Sequence, residues 1–104
     1  MVLTRSFDEL VQHHAATEPA FADALLREGI DCMLAGDVDT GKALLRDYIK
    51  GTMGFEALGR ATGSQPKSLI RMFGRRGNPQ ARNLFNVINY LQTHAGVRLH
   101  VAAE

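Results

Sequence analysis

Glycine and proline punctuate this chain so densely that only short helices fit between them. Pro19, Gly36, Gly51, Gly54, Gly63, Pro66, the Gly77-Asn78-Pro79 run and Gly96 divide its 104 residues into brief segments. Proline is tolerated in a helix's first turn, and glycine closes a helix in the left-handed position after its last turn. Between these marks the apolar residues recur at helical spacing. Ser6-Phe7-Asp8-Glu9 has capping-box form and precedes a stripe of Phe7, Leu10 and Val11. A second helix opening at Pro19 carries Phe21, Leu25, Leu26, Ile30, Met33 and Leu34, and stops at Gly36.

Asp37 and Asp39 favour the start of a third helix, where the dipole welcomes negative charge. It runs to about Lys50 with Leu44, Leu45, Tyr48 and Ile49 inward. Two short segments follow, about Phe55–Thr62 and Gln65–Phe73, joined at Gly63-Ser64. Asn78 as cap and Pro79 as first residue open a last helix to about His94, with Leu84, Ile88 and Leu91 on one face and Phe85 and Val87 beside them. Val97-Arg98-Leu99-His100-Val101 then alternates like a strand. A lone strand must pair, either with its own copy across a two-fold axis or with Val2-Leu3-Thr4.

The expected fold is therefore all-α, with five to six short helices, a helix-turn-helix and a short C-terminal β-strand. The length suits one domain, 1–104, made of an N-terminal helical extension (1–36), a helix-turn-helix core (37–96) and a strand or tail (97–104). Apolar residues at 45% and charged residues at 22% match a globular chain and argue against wholesale disorder. No apolar run approaches the roughly 18 residues of a membrane span. The N-terminal residues lack the apolar stretch of a secretory signal. A single cysteine, Cys32, excludes an intrachain disulfide and a cysteine-based zinc cluster, so the cytoplasm is the expected compartment.

Charge divides the chain. Residues 1–49 hold four cations against nine acids, and residues 50–104 hold eight cations against two acids. A basic half of this kind suits nucleic acid, whereas the acidic half should pack away from phosphate. Within the basic half, Phe55–Phe73 has the parts of two short crossing helices. Gly59 and Ala61 are small where the helices touch, Gly63 tolerates a left-handed turn, and Leu69, Met72 and Phe73 anchor the second helix against Leu58. Gln65, Pro66, Lys67, Ile70 and Arg71 are left outward. Glutamine can pair with adenine and arginine with guanine, isoleucine can touch a thymine methyl, and lysine neutralises phosphate. Arg75 and Arg76 follow the helix, and Arg82 begins the next one.

Taken in order, these features resemble the bacterial addiction-module antidote proteins, antitoxin-like members of the lambda-repressor-like helix-turn-helix class. The likeness runs from about Leu25 to Val101. It rests on Gly36-Asp37, the Ala43–Asp47 run, Leu58, Gly59 and Gly63, then Leu69, Arg71 and Phe73, then Gly77-Asn78-Pro79, and finally Gly96 to Val101. The chain departs from the pattern at Gly59, where alanine is usual, at Ile70, often tyrosine, and at Gln65-Pro66-Lys67, where Ser/Thr-Arg-Glu usually opens the helix. The resemblance implies an autoregulatory DNA-binding antitoxin, acting as a homodimer and bound to a small basic toxin.

Other signals are set aside. Gly36-Asp37-Val38-Asp39-Thr40-Gly41-Lys42-Ala43 imitates a phosphate-binding loop, but Ala43 replaces the hydroxyl and no strand precedes it. His13 and His14 are adjacent and point about 100° apart on a helix, unlike an i, i+4 metal pair. Cys32 falls in an apolar pattern and reads as a small buried hydrophobe. His94 reads as a helix-end cation and His100 as a surface residue. No convergent polar cluster points to an enzyme, a cofactor or a metal. The expected function is sequence-specific binding of double-stranded DNA as a dimeric regulator. Base contacts fall to Gln65, Arg71 and Ile70, and phosphate contacts to Lys67, Arg75, Arg76 and Arg82. The alternative is a protein-interaction antidote that masks a basic toxin without reading an operator.

Overall fold

The computed structural model describes the backbone of residues 2–103 and the side chains of residues 7–103. The described chain is all-helical: α1 (Val2–Thr17), α2 (Pro19–Leu34), α3 (Val38–Gly51), α4 (Gly54–Thr62), α5 (Pro66–Met72) and α6 (Ala81–Ala95). None of these helices is long and apolar enough to cross a membrane.

The punctuation acts as the residue types dictate. Pro19 occupies the first turn of α2, and Gly36 follows that helix with φ +90°. Asp37 caps α3, its carboxylate accepting from the Thr40 N–H at 3.3 Å. Gly96 closes α6 in the left-handed region, where its N–H donates to Thr93 O and the Val97 N–H donates to Gln92 O.

All six helices contribute to one apolar cluster. Leu26, Leu45, Ile49, Leu58 and Leu91 are fully buried in it, together with Tyr48 and Phe73. Helices α1, α2 and α3 pack on one another, and α4 joins α3 to both α5 and α6. The α1–α3 contact carries a polar link. Gln12 Nε2 donates to Asp47 Oδ1 at 2.9 Å, with Asp47 almost wholly buried. Burial pushes the Asp47 carboxyl above the usual aspartate range, against the lowering effect of the Gln12 hydrogen bond.

Four expectations are corrected. Ser6 does not begin α1; it lies inside a helix that starts at Val2. Pro79 lies ahead of α6, whose cap is the extended Gln80 and whose first backbone bond runs from Leu84 N to Gln80 O. Phe85 is 64% exposed rather than beside the core, because Val87, Ile88 and Leu91 fill the inward arc of α6. The C-terminal β-strand is not seen among the described residues. Residues 97–101 have no regular secondary structure, but Val97 and Leu99 are half-buried and Arg98 and His100 exposed, so the alternation of burial is real. No ladder forms, because Val2-Leu3-Thr4 belongs to α1 and the Leu99 N–H is taken by Gln92 Oε1 at 2.7 Å.

Candidate nucleic-acid interface

Helices α4 and α5 are joined by three residues, and each has a local job. Gly63 takes φ +72°, a conformation that penalises any side chain, and so turns the chain sharply after α4. The Ser64 N–H returns to Gly59 O at 3.0 Å, and Thr62 Oγ1 donates to Leu58 O at 2.8 Å. Gln65 is extended at the start of α5, and its carbonyl accepts the first helical bond from Leu69 N. Gly59 lies against this turn so closely that a Cβ would stand 2.7 Å from Ser64 O. Leu58, Leu69 and Phe73 bury the inner faces, and the Phe55 and Phe73 rings stand 6.3 Å apart.

Leu69 sets the orientation of α5. At about 100° per residue, a helix that buries Leu69 turns Lys67 and Arg71 to the far side and puts Ser68 and Ile70 on its two flanks. Lys67, Ser68, Ile70 and Arg71 are all exposed. Arg71 and Ser68 face a polar groove of about 430 Å³ shared with Arg76 and with Gln80, Asn83 and Asn86 at the N-terminal part of α6. Ile70, 47% exposed, opens the other way, into a hollow of about 480 Å³ with Asp8 and Glu9 of α1 and Arg46 and Lys50 of α3.

The expected site residues are thus only partly gathered. Arg71, Arg76 and α6 share one groove, while Ile70 points toward α1. Gln65 is exposed at the cap of α5, Arg75 lies in the turn after it, and Arg82 is exposed on the first turn of α6. The acidic half is not segregated from this region, since both Asp8 and Glu9 approach the Ile70 flank.

Two residues of α3 were not expected here. Lys42 is only 3% exposed, and its Nζ donates to Gly74 O at 2.9 Å and Gly77 O at 2.6 Å. Arg46 donates to Phe73 O at 3.4 Å. Together they tie α3 to the turn that carries Arg75 and Arg76. A signal for Lys42 was present, since it shares helical spacing with the buried Leu45 and Ile49. A lysine in that stripe needs an internal acceptor.

Cys32 is only half-buried, not buried as its apolar pattern suggested, and its thiol is pushed up, first by desolvation and then by the nearby carboxylates, with Glu28 Oε2 at 3.8 Å; an activated nucleophile needs the opposite shift. His14 Nδ1 lies 2.7 Å from Glu18 Oε2 on exposed helix ends. Among the described residues no group of three or more histidine, cysteine, aspartate or glutamate side chains could hold a metal ion. Comparison of the chain with protein-family models, with curated proteins and with solved structures gave no match.

Proposed function

We propose that this protein is a sequence-specific regulator that binds double-stranded DNA through α5. One observation carries the reading. A short helix is braced by α4 through a tight glycine turn, leaves Lys67 and Arg71 on its open side, and is followed directly by Arg75 and Arg76. Arginine can donate twice to one guanine, and flanking cations hold the helix on the phosphate backbone without reading sequence. Gln65 completes the base-facing set, Ile70 is left out of it by its turn toward Asp8 and Glu9, and Arg82 adds a phosphate contact from α6. The cell interior is the compartment for this work, and no catalytic step is part of it.

A dimer fits the reading, because two copies of a short recognition helix read two half-sites one turn apart. Leu34, Phe85 and Val101 are exposed large apolar residues around a single groove of about 530 Å³ between α2, α6 and the C-terminal residues. This is the surface we assign to the second copy.

A second reading, an antidote that masks a small basic protein, is favoured by one feature of α1. Phe7 and Leu10 stand 65% and 53% exposed on α1, which also carries Asp8 and Glu9. The two roles are compatible in an autoregulated antitoxin.

The test is a salt-titrated binding assay with duplex from the region upstream of the protein's own gene and a scrambled duplex of equal length. The regulator reading expects the first to bind roughly 10³-fold or more tightly. Equal affinity would leave only an electrostatic surface and favour the antidote reading.

A further inference from the structure

We infer that the hollow between α3 and the turn after α5 is a binding site for a phosphate group, with Arg46 as its central ligand. The hollow measures about 850 Å³ and is walled by Arg46, Arg75 and Arg76, with Thr40 at one side and Lys42 behind. Asp39 is the one acid on its lining, so four cations face a single carboxylate.

The Lys42 ammonium makes this a constructed surface rather than a chance gathering of arginines. It is almost wholly buried, and two backbone carbonyls are its only protein partners among the described residues. Among the described residues no carboxylate pairs with Lys42. The carbonyls of Gly74 and Gly77 hold the ammonium in place on the lining of the hollow. Its two hydrogen bonds also fix Gly74 and Gly77, which bracket Arg75 and Arg76. Arg46 is held from the other side by its bond to Phe73 O. Guanidinium forks set around one space match the oxygens of a phosphate, and two arginines can each engage it with paired N–H groups.

The phosphate can belong to a DNA backbone or to a free phosphate ester, and both present the same oxygens. The first source rests on the DNA-binding reading; the site itself does not. If DNA is the source, the contact surface extends onto α3, in the acidic half of the chain.

The probe is inorganic phosphate, titrated into the isotope-labelled full chain and followed by amide chemical shifts, with chloride at matched ionic strength as control. Saturable shifts at Thr40 and Gly74 to Gly77 are expected with phosphate and not with chloride. Arg46→Ala should weaken the titration about tenfold, as for losing a charge-assisted bond, and Arg46→Lys should recover part of it. If removing the Phe73 bond loosens the turn, Arg75→Ala makes the same comparison from an exposed position with no hydrogen bond to the turn among the described residues. The site is refuted if chloride reproduces the shifts, or if Arg46→Ala of unchanged helicity titrates like the parent protein. A duplex arm separates the sources. For DNA backbone, Arg46→Ala weakens specific and scrambled duplexes equally and flattens the salt dependence by about 0.9 per contact. Phosphate binding with duplex affinity untouched by Arg46→Ala assigns the site to a free phosphate ester. Phosphate binding by a protein that holds no duplex at all removes the DNA reading and leaves the site standing.

Discussion

Lys42 Nζ meets Gly77 O at 2.6 Å across 35 residues of chain, and the same ammonium holds Gly74 O. This contact sets where the chain goes after α5. Lys42→Met keeps most of the volume but strips both carbonyls of their donor. We expect a loss of about 2–4 kcal/mol in chemical unfolding, the range for charged hydrogen bonds left unmade. Lys42→Arg should not rescue fully, because a planar fork cannot replace a compact ammonium between two carbonyls. A Lys42→Met protein as stable as the parent would show that the turn is held by other contacts.

Gly59 presents a steric test of the α4–α5 brace. An alanine Cβ there would stand 2.7 Å from Ser64 O and 3.3 Å from Pro66 Cγ. Backbone must shift, so Gly59→Ala should cost about 1–3 kcal/mol despite the better helix propensity of alanine. Thermal unfolding measures this directly, and a stabilised variant would mean that the two helices sit further apart.

Asp47 should leave a signature in the pH dependence of stability. Its folded carboxyl titrates above the ordinary aspartate value because of burial. The folded state therefore binds the proton more tightly, and stability from this group falls as pH rises from the ordinary value through the raised one. Asp47→Asn keeps an oxygen to accept from Gln12 and cannot ionise. It should be at least as stable as the parent at pH 7, with a flatter profile across that window. Asp47→Ala loses the Gln12 bond and should cost about 1–2 kcal/mol. An unchanged slope in the Asn variant would assign the pH dependence to other carboxylates.

Arg71 and the Arg75-Arg76 pair should separate base reading from charge. Arg71→Ala should cost about 1–3 kcal/mol of discrimination at one base position while scrambled duplex still binds. Arg75→Ala with Arg76→Ala should weaken every duplex alike and reduce the salt slope by about 0.9 for each lost contact. Binding on specific and scrambled duplexes at several salt concentrations gives both numbers. If both variants lose affinity in the same ratio, α5 reads no sequence.

Phe85 tests the surface assigned to a second copy. It is 64% exposed, so Phe85→Glu should alter monomer stability by no more than about 0.5 kcal/mol. Sedimentation should shift from dimer to monomer. A dimer that survives the charge is built on another face.

Much of the helix order was legible because it is local chemistry. Proline at a first turn, glycine after a last turn and aspartate at a cap act through their own backbone, and Pro19, Gly36, Asp37, Gly63 and Gly96 sit in those roles. The burial of Leu69 and Phe73 beneath an open Lys67 and Arg71 followed from spacing alone. What spacing could not determine was which distant group would satisfy a polar atom. Val97–Val101 has strand alternation, but whether its N–H groups meet a strand or a glutamine depended on Gln92. Lys42 was one cation among acids until folding brought two glycine carbonyls to it from 32 and 35 residues away. Ile70 lay on the exposed side of its helix, but only the packing of α1 on α3 sets Asp8 and Glu9 beside it. Helix starts and stops are decided within a turn of chain. Hydrogen-bond partners and charge neighbours are decided by the three-dimensional path, which joins an acidic half and a basic half that composition alone would have kept apart.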